Sequence, residues 1–96
     1  MALRFTWDPR KAAANLIKHR VSFGEAVTVF ADPLARIHDD SDHSVGERRE
    51  IIIGHSARHR LLLVSFTERA QTVRLINARR TTRPERKEYE EFSKPS

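Results

Sequence analysis

The chain has 96 residues, of which 39% are hydrophobic and 32% charged, and 18 Lys and Arg outnumber 13 Asp and Glu for a formal net charge of +5. This length predicts a single domain at residues 1–96, and the absence of cysteine excludes disulfides, thiolate zinc sites and a cysteine nucleophile. No apolar run approaches the roughly 18 residues of a membrane span, so we expect a cytoplasmic protein without membrane contact.

The N-terminal part predicts a short strand followed by two helices. Leu3–Trp7 alternates apolar and polar side chains, as a strand does. Asp8, followed by proline, is a typical N-cap for a helix that ends near Arg20. The stretch SFGE predicts a capping box, in which the Ser22 hydroxyl accepts from the Glu25 N–H and the Glu25 side chain reaches back. This capping role leaves Glu25 outside the predicted site.

The remainder predicts four strands and a C-terminal helix. The strands are the apolar runs at Leu34–His38, Arg49–His55, Arg60–Thr67 and Thr72–Arg80. The second and third runs are almost continuously apolar, which indicates central strands buried on both faces. Thr82 and Glu85 form a second capping box at the start of the last helix. The order β-α-α-β-β-β-β-α predicts an α+β fold, a small antiparallel sheet with N-terminal helices and a C-terminal helix packed on it.

The polar stretch HDDSDHSVGERRE (His38–Glu50) allows three interpretations. Its carboxylates and imidazoles are metal-ligand types, but their spacing matches no recognised metal-binding pattern. Its DDSD part has turn residues and predicts a solvated loop. Its HSVGERR part can border a site for metal-free RNA cleavage, where histidine or glutamate moves protons and arginine stabilises the charge on phosphate. The arginine-rich basic excess favours a polyanion, or an acidic protein partner.

Four blocks carry a resemblance to a known family: FTWDPRKAAANLIKHRVSFGEAVTVFADP, DHSVGERREIIIGHS, RLLLVSFTER and VRLINARRTTRPERKEYE. They lie in this order between Phe5 and Glu90, and together they resemble the BrnT ribonuclease toxins of BrnT/BrnA type II toxin–antitoxin systems. The sequence departs from the family pattern where Arg20 and His59 replace turn glycines and where Asn77 replaces a serine.

The resemblance implies a RelE-like toxin fold and an endoribonuclease that inhibits translation and growth. It implies RNA cleavage by attack of the 2′-OH, with no metal and no cofactor. The implied partner is a ribbon-helix-helix antitoxin that neutralises the toxin in a 2:2 heterotetramer. Through the antitoxin, this complex would bind operator DNA and repress its own operon.

The site residues follow from matches to the family and from side-chain chemistry. His19 is either an acid–base group or a helix C-terminal residue that complements the helix dipole. Glu47 is either a base or an arginine's ion-pair partner, with His43 as the alternative acid–base group. The predicted catalytic residues are His19, Glu47, Arg69 and Arg79, and the predicted substrate-binding residues are Lys18, Arg49, Thr67 and Arg74.

The alternation of side chains along a strand predicts which face of the sheet each arginine occupies. Period-two alternation along a continuous strand predicts Arg69 and Arg79 on one face and Arg74 on the other, unless a bulge in ERAQT changes the parity for Arg69. The main hypothesis is a metal-independent endoribonuclease toxin. The alternatives are a basic module that binds nucleic acid or a partner without cleaving, and a metal-dependent nuclease that uses the Asp/His loop.

Overall fold

The structure, a computed structural model, describes residues 3–43 and 46–93, which form five strands and three α-helices. The strands are β1 (Arg4–Thr6), β2 (Arg36–Asp39), β3 (Glu50–His55), β4 (Leu61–Arg69) and β5 (Thr72–Arg80). The helices are α1 (Pro9–His19), α2 (Phe23–Thr28) and α3 (Arg83–Ser93), with short 3-10 turns at Val29–Ala31 and Ser41–His43. No helix in this described part is long and apolar enough to cross a membrane.

The strands form one mixed sheet in the order β1-β5-β4-β3-β2. Strands β2 to β5 are antiparallel neighbours, whereas β1 pairs parallel to β5, with Arg4 opposite Thr72 and Thr6 opposite Arg74. The predicted α+β class and element order are therefore confirmed, but the prediction of a purely antiparallel sheet is wrong. A parallel pair needs a long crossover connection, and the chain between β1 and β5 provides it.

One side of the sheet, here called the helix face, carries the larger core. Side chains of Leu62, Val64 and Phe66 on β4 are fully or almost fully buried beneath α1 and α2. The buried amide of Asn15 in α1 donates to the carbonyl of Ala78 at 2.8 Å and accepts its N–H at 3.0 Å. This pair of hydrogen bonds ties α1 to β5 beyond the last residue that pairs with β1.

The opposite side, here called the groove face, carries a smaller apolar cluster. Tyr89 of α3 packs there against Ile53, Leu61 and Leu63. Near the C-terminal end of α3, the Arg36 guanidinium stacks on the Phe92 ring, 3.9 Å from the ring centroid. These contacts hold α3 over one end of the groove face.

A β-bulge in β5 changes which side chains share a face. Ser65 of β4 pairs with Asn77, but the next residue, Phe66, pairs with Leu75, so Ile76 is the extra residue. A bulge of this kind leaves one residue unpaired and reverses the alternation beyond it.

The bulge brings the three predicted arginines to the same side of the sheet. Arg74 pairs with Thr67 and Arg79 with Leu63, while Arg69 pairs with Thr72 at the end of the hairpin. Cross-strand partners point to the same face, and odd-numbered residues of β4 lie on the groove face. The prediction that Arg74 faces away from Arg69 and Arg79 is therefore wrong, because it assumed an unbroken alternation.

The helix caps follow the sequence, with one difference. Asp8 accepts the Arg10 N–H at 2.9 Å, and Ser22 accepts the Glu25 N–H at 3.0 Å, as predicted. The carboxylate of Glu25, however, binds Arg60 and Ser56. The structure thus corrects the capping-box assignment for the side chain of Glu25, because a buried long-range partner replaces the local one.

Glu25 forms an interior ion pair between α2 and the β3–β4 hairpin. Its side chain is 4% exposed, and its Oε2 accepts from Arg60 Nε at 2.9 Å and Ser56 Oγ at 2.7 Å. A second hydrogen bond from Arg60 reaches Oε1, and Arg58 lies 3.9 Å from the same oxygen. The hydrogen bonds from Arg60 lower the pKa of Glu25 despite its burial, so the carboxylate stays charged inside the protein.

Candidate active site

A groove of about 430 Å³ lies on the groove face between α3 and the connection from β2 to β3. Its floor is apolar and consists of Ile51, Leu63 and Ile76. The bulged Ile76 lies in this floor, so the irregularity that reorients the arginines also shapes the cavity. Its walls are polar: Asp40, Asp42, His43, Arg49, Ser65, Asn77, Arg79 and Glu85.

Arg79 is held at the groove wall by a bidentate ion pair with Glu85. Its Nη1 and Nη2 donate to Oε1 and Oε2 of Glu85, each at 2.9 Å, and Nη1 also donates to the Arg80 carbonyl at 3.1 Å. Glu85 in turn accepts the Thr82 N–H at 2.8 Å, which confirms the predicted capping box at the start of α3. The guanidinium is therefore positioned before any substrate arrives.

The same pair fixes the charge of Glu85. Hydrogen bonds from Arg79 lower the pKa of Glu85 from 4.5 to about 2, and the Glu85 carboxylate raises the pKa of Arg79. A carboxylate with so low a pKa is a weak base. Glu85 is therefore a positioning group for Arg79 rather than the acceptor of a substrate proton.

Replacing Glu85 by glutamine is expected to remove part of the pH dependence of stability. Because the folded pKa is lowered, the contribution of Glu85 is present above about pH 4.5 and is lost as the pH falls towards about 2. The difference in unfolding free energy between parent and Glu85→Gln should shrink by roughly 1–2 kcal/mol between about pH 7 and about pH 3. Urea unfolding at both pH values measures it, and a constant difference would contradict the pKa assignment.

His43 and Asp40 form a hydrogen-bonded pair at the groove's other wall. The Nδ1 atom of His43 lies 3.0 and 3.1 Å from the two carboxylate oxygens of Asp40. The His43 side chain is 67% exposed, whereas that of Asp40 is 19% exposed. The carboxylate thus orients an accessible imidazole, and Nε2 is the ring nitrogen left for proton exchange with a substrate.

The DDSD segment is therefore only partly the solvated loop that the sequence predicts. Asp40 is half-buried, and its backbone N–H donates to the Arg49 carbonyl at 2.9 Å. This bond holds the stretch against the start of β3. The sequence does contain a hint that Asp40 contacts His43, because the two residues are three positions apart. In a 3-10 turn such as Ser41–His43, side chains at this spacing lie close together.

Four of the eight predicted site residues are arginines on the groove face, two of them in the groove lining and two farther along the face. Arg49 and Arg79 line it together. Arg69 and Arg74 are exposed on the groove face, farther along towards the β4–β5 turn. These two arginines therefore add exposed positive charge to the same face of the sheet as the groove.

The other four predicted residues are placed apart from the groove lining. Thr67 is buried on the groove face, opposite Arg74. Glu47 is exposed two residues before Arg49, in the same connection as His43. Lys18 and His19 end α1, and neither is among the residues that line the groove. Ser44, which also matches the family pattern, lies outside the described residues.

Sequence reasoning missed the contributions of Asp40, Asn77 and Glu85 to the groove. Within the described residues, no three His, Asp or Glu side chains are grouped so that they could hold a metal ion. The cationic side chains that line the groove are Arg49 and Arg79, whose planar guanidinium groups suit phosphate oxygens.

A larger cleft of about 740 Å³ lies elsewhere, beside β1 and α2, and is mostly apolar. Its carboxylate, Asp32, accepts the His55 N–H at 2.7 Å and the Tyr89 hydroxyl at 2.9 Å. His55 Nδ1 is 3.2 Å from the same hydroxyl. Because none of the described residues that line the cleft is an arginine or a lysine, the cleft is less suited than the groove to a nucleic-acid substrate.

Comparisons with known proteins agree with this picture. Residues 7–85 match the sequence profile of the family described as the ribonuclease toxin BrnT of type II toxin–antitoxin systems. The fold is similar to the crystal structure of the Brucella abortus ribonuclease toxin BrnT, with a TM-score of 0.65 and 18% sequence identity over 85% of this chain and 100% of that one. A search of the curated proteins gives no match. Because the profile covers most of its length, the chain belongs to the BrnT family of ribonuclease toxins of type II toxin–antitoxin systems.

Proposed function

We propose that the groove is the active site of a metal-independent endoribonuclease. The observation that carries the proposal is the juxtaposition of Arg49, Arg79 and the His43–Asp40 pair around one cavity. Cleavage of RNA needs no external nucleophile, because the 2′-OH attacks the adjacent phosphorus. The protein must supply a base, an acid and cations for the charge on the phosphate.

The arginines bind the scissile phosphate. Arg49 and Arg79 lie on the groove wall, and Glu85 holds Arg79 in place. As the 2′-oxygen attacks, negative charge accumulates on the non-bridging phosphate oxygens. Two positioned guanidinium groups stabilise that charge more in the transition state than in the substrate. Arg69 and Arg74 are exposed on the same face of the sheet and bind the neighbouring RNA backbone.

The connection between β2 and β3 supplies the proton transfers. Glu47 takes the proton of the 2′-OH, and His43, oriented by Asp40, donates a proton to the departing 5′-oxygen. The P–O5′ bond breaks as the P–O2′ bond forms, which leaves a 2′,3′-cyclic phosphate and a 5′-hydroxyl. Support for this assignment is the accessibility of both side chains and their position in one segment beside Arg49. This assignment gives Lys18 and His19 no role, because neither lines the groove.

The family membership implies a protein antitoxin. We propose that this antitoxin carries a ribbon-helix-helix DNA-binding domain, forms a 2:2 heterotetramer with the toxin and represses the shared operon. The support is the resemblance over the four sequence blocks. The same resemblance supports a RelE-like fold, inhibition of translation, and a cytoplasmic location where RNA is available.

Removing both groove arginines is expected to abolish growth arrest. Arg49→Gln/Arg79→Gln should lower RNA cleavage by roughly 10²-fold or more, since each charge-assisted contact contributes about 1.5–3 kcal/mol. Induced expression of the chain alone should arrest growth, and expression of this variant, confirmed as soluble and folded, should not.

The matched control is Arg10→Gln/Lys11→Gln, which removes two positive charges from the exposed start of α1. It should arrest growth as the parent does. Arrest by the groove variant at the parent's strength would place the active site elsewhere. Binding of RNA without cleavage by the parent protein would favour the non-catalytic binding module.

A further inference from the structure

A second polar pocket, of about 380 Å³, lies at the end of β5 beside the start of α3. It is lined by His59, Arg60, Leu61, Arg80, Thr81 and Arg86. It shares two elements with the groove, since Arg80 follows Arg79 on β5 and Arg86 follows Glu85 on α3. Consecutive Cα atoms are about 3.8 Å apart, so groove and pocket are neighbours.

The pocket carries positive charge that the described residues do not neutralise. Arg80 and Arg86 are exposed, and the side chain of neither forms an ion pair or hydrogen bond within the described part of the chain. Arg60 differs, because Glu25 binds its guanidinium. In contrast to Arg79, these two guanidinium groups keep all their donors available.

Thr81, one of the residues that line the pocket, carries a buried hydroxyl. The Oγ1 atom of Thr81 is shielded from solvent and has no hydrogen-bond partner in the described structure, while its backbone N–H donates to the Leu61 carbonyl at 3.3 Å. Leaving a buried polar atom unsatisfied costs free energy. A ligand with several acceptor oxygens would bind both arginines at the pocket.

We propose that this pocket is a phosphate-binding subsite, which holds a phosphodiester of an RNA strand that extends beyond the groove. The inference rests on the proposed ribonuclease function. By strand register, Arg79 faces the groove and Arg80 faces the opposite side at the very end of β5. An RNA strand bound in the groove would therefore turn around this end and place a second phosphate in the pocket.

The chemistry favours phosphate over an acidic protein segment. Two free guanidinium forks match the several acceptor oxygens around one phosphorus. The adjacent groove holds a phosphate of the same chain, which raises the local concentration of the second. The subsite thus contributes affinity and register on the RNA without taking part in bond breaking.

The test uses binding of a non-cleavable probe, a 2′-O-methyl single-stranded oligonucleotide of about 12 nucleotides. Fluorescence anisotropy at several salt concentrations compares the parent with Arg80→Gln/Arg86→Gln and the control Arg10→Gln/Lys11→Gln. The pocket variant should bind about 10-fold more weakly, and its plot of log K against log[salt] should be shallower by about 0.7 per phosphate released. Thermal unfolding of each variant confirms that the fold is retained.

Several outcomes separate this inference from its rivals. Equal weakening by the control would overturn it, because the effect would reflect net charge alone. An oligoglutamate peptide that binds the parent as tightly, with the same loss in the pocket variant, would assign the pocket to an acidic protein instead. If inorganic phosphate binds to the pocket and the affinity of the oligonucleotide does not depend on the pocket, the ligand of the pocket is free phosphate rather than RNA. Pocket-dependent RNA binding without any cleavage would refute the ribonuclease proposal and still support the subsite.

Discussion

Replacing His43 with alanine is expected to lower the rate of RNA cleavage by roughly 10²–10⁴-fold, the range for loss of a positioned acid–base group. The imidazole is accessible and held by Asp40 through Nδ1, so the substitution removes the proton donor without disturbing a core contact. Substrate affinity should change much less, because Arg49 and Arg79 remain. Single-turnover cleavage of a labelled RNA measures the rate, and anisotropy with a non-cleavable RNA measures the affinity.

Two further variants sharpen this experiment. Asp40→Asn keeps the size of the side chain but weakens its hold on the imidazole, and it should give an intermediate loss with an altered pH–rate profile. His19→Ala tests the sequence-based candidate on the helix face. Loss of cleavage with His19→Ala but not with His43→Ala would move the acid–base group to the end of α1 and contradict the proposed groove.

The second large effect is expected on stability rather than on chemistry. Glu25→Ala should lower the unfolding free energy by about 3 kcal/mol, because it leaves Arg60 and Ser56 beneath α2 without their shared partner. Loss of a capping residue alone would cost only about 1 kcal/mol. The magnitude therefore distinguishes the observed ion pair from the capping role that the local sequence suggested.

Urea unfolding of three variants provides the comparison. Ser22→Ala removes the cap and keeps the ion pair, and it should cost about 1 kcal/mol. Glu90→Ala removes an exposed carboxylate from α3 and should change stability by less than about 0.5 kcal/mol. A loss for Glu25→Ala no greater than that for Ser22→Ala would show that the interior ion pair contributes little.

The fold was predictable where its signals are local. Asp8, Ser22 and Thr82 cap the three helices as their neighbouring residues indicate. The long apolar runs become β3 and β4, inside the sheet. The parallel pairing of β1 with β5 was not predictable in this way, because partners such as Phe5 and Val73 are far apart in sequence. No local sequence pattern indicates whether two such strands pair in parallel or antiparallel.

The site was predictable in its residue types more than in its arrangement. Arg49 and Arg79 were both predicted and share the groove. The position of Arg74 depended on one bulged residue, Ile76, and a single extra residue reverses the face of every side chain beyond it. The chemistry of His19 suits an acid–base role, but only the packing of α1 decides whether its side chain lines the groove, and it does not.

The two ion pairs also differ in how far they could be predicted from the sequence, because one joins residues close in the chain and the other joins distant residues. The Arg79–Glu85 pair spans six residues across the turn from β5 to α3, and the capping box at Thr82 already fixes one end of it. The Glu25–Arg60 pair spans 35 residues. Only the docking of α2 on the β3–β4 hairpin creates it, so a local pattern gives Glu25 the wrong partner.

The most direct test of the central claim is the chemistry of the RNA ends produced by the purified toxin in excess EDTA. Attack by the 2′-OH in a site without metal should give 5′-hydroxyl and 2′,3′-cyclic phosphate ends, at a rate that EDTA leaves unchanged. The same RNA with deoxyribose at the cleaved position should remain intact. Loss of cleavage in EDTA, or fragments with 5′-phosphate and 3′-hydroxyl ends, would contradict metal-independent cleavage in the groove of Arg49, Arg79 and His43.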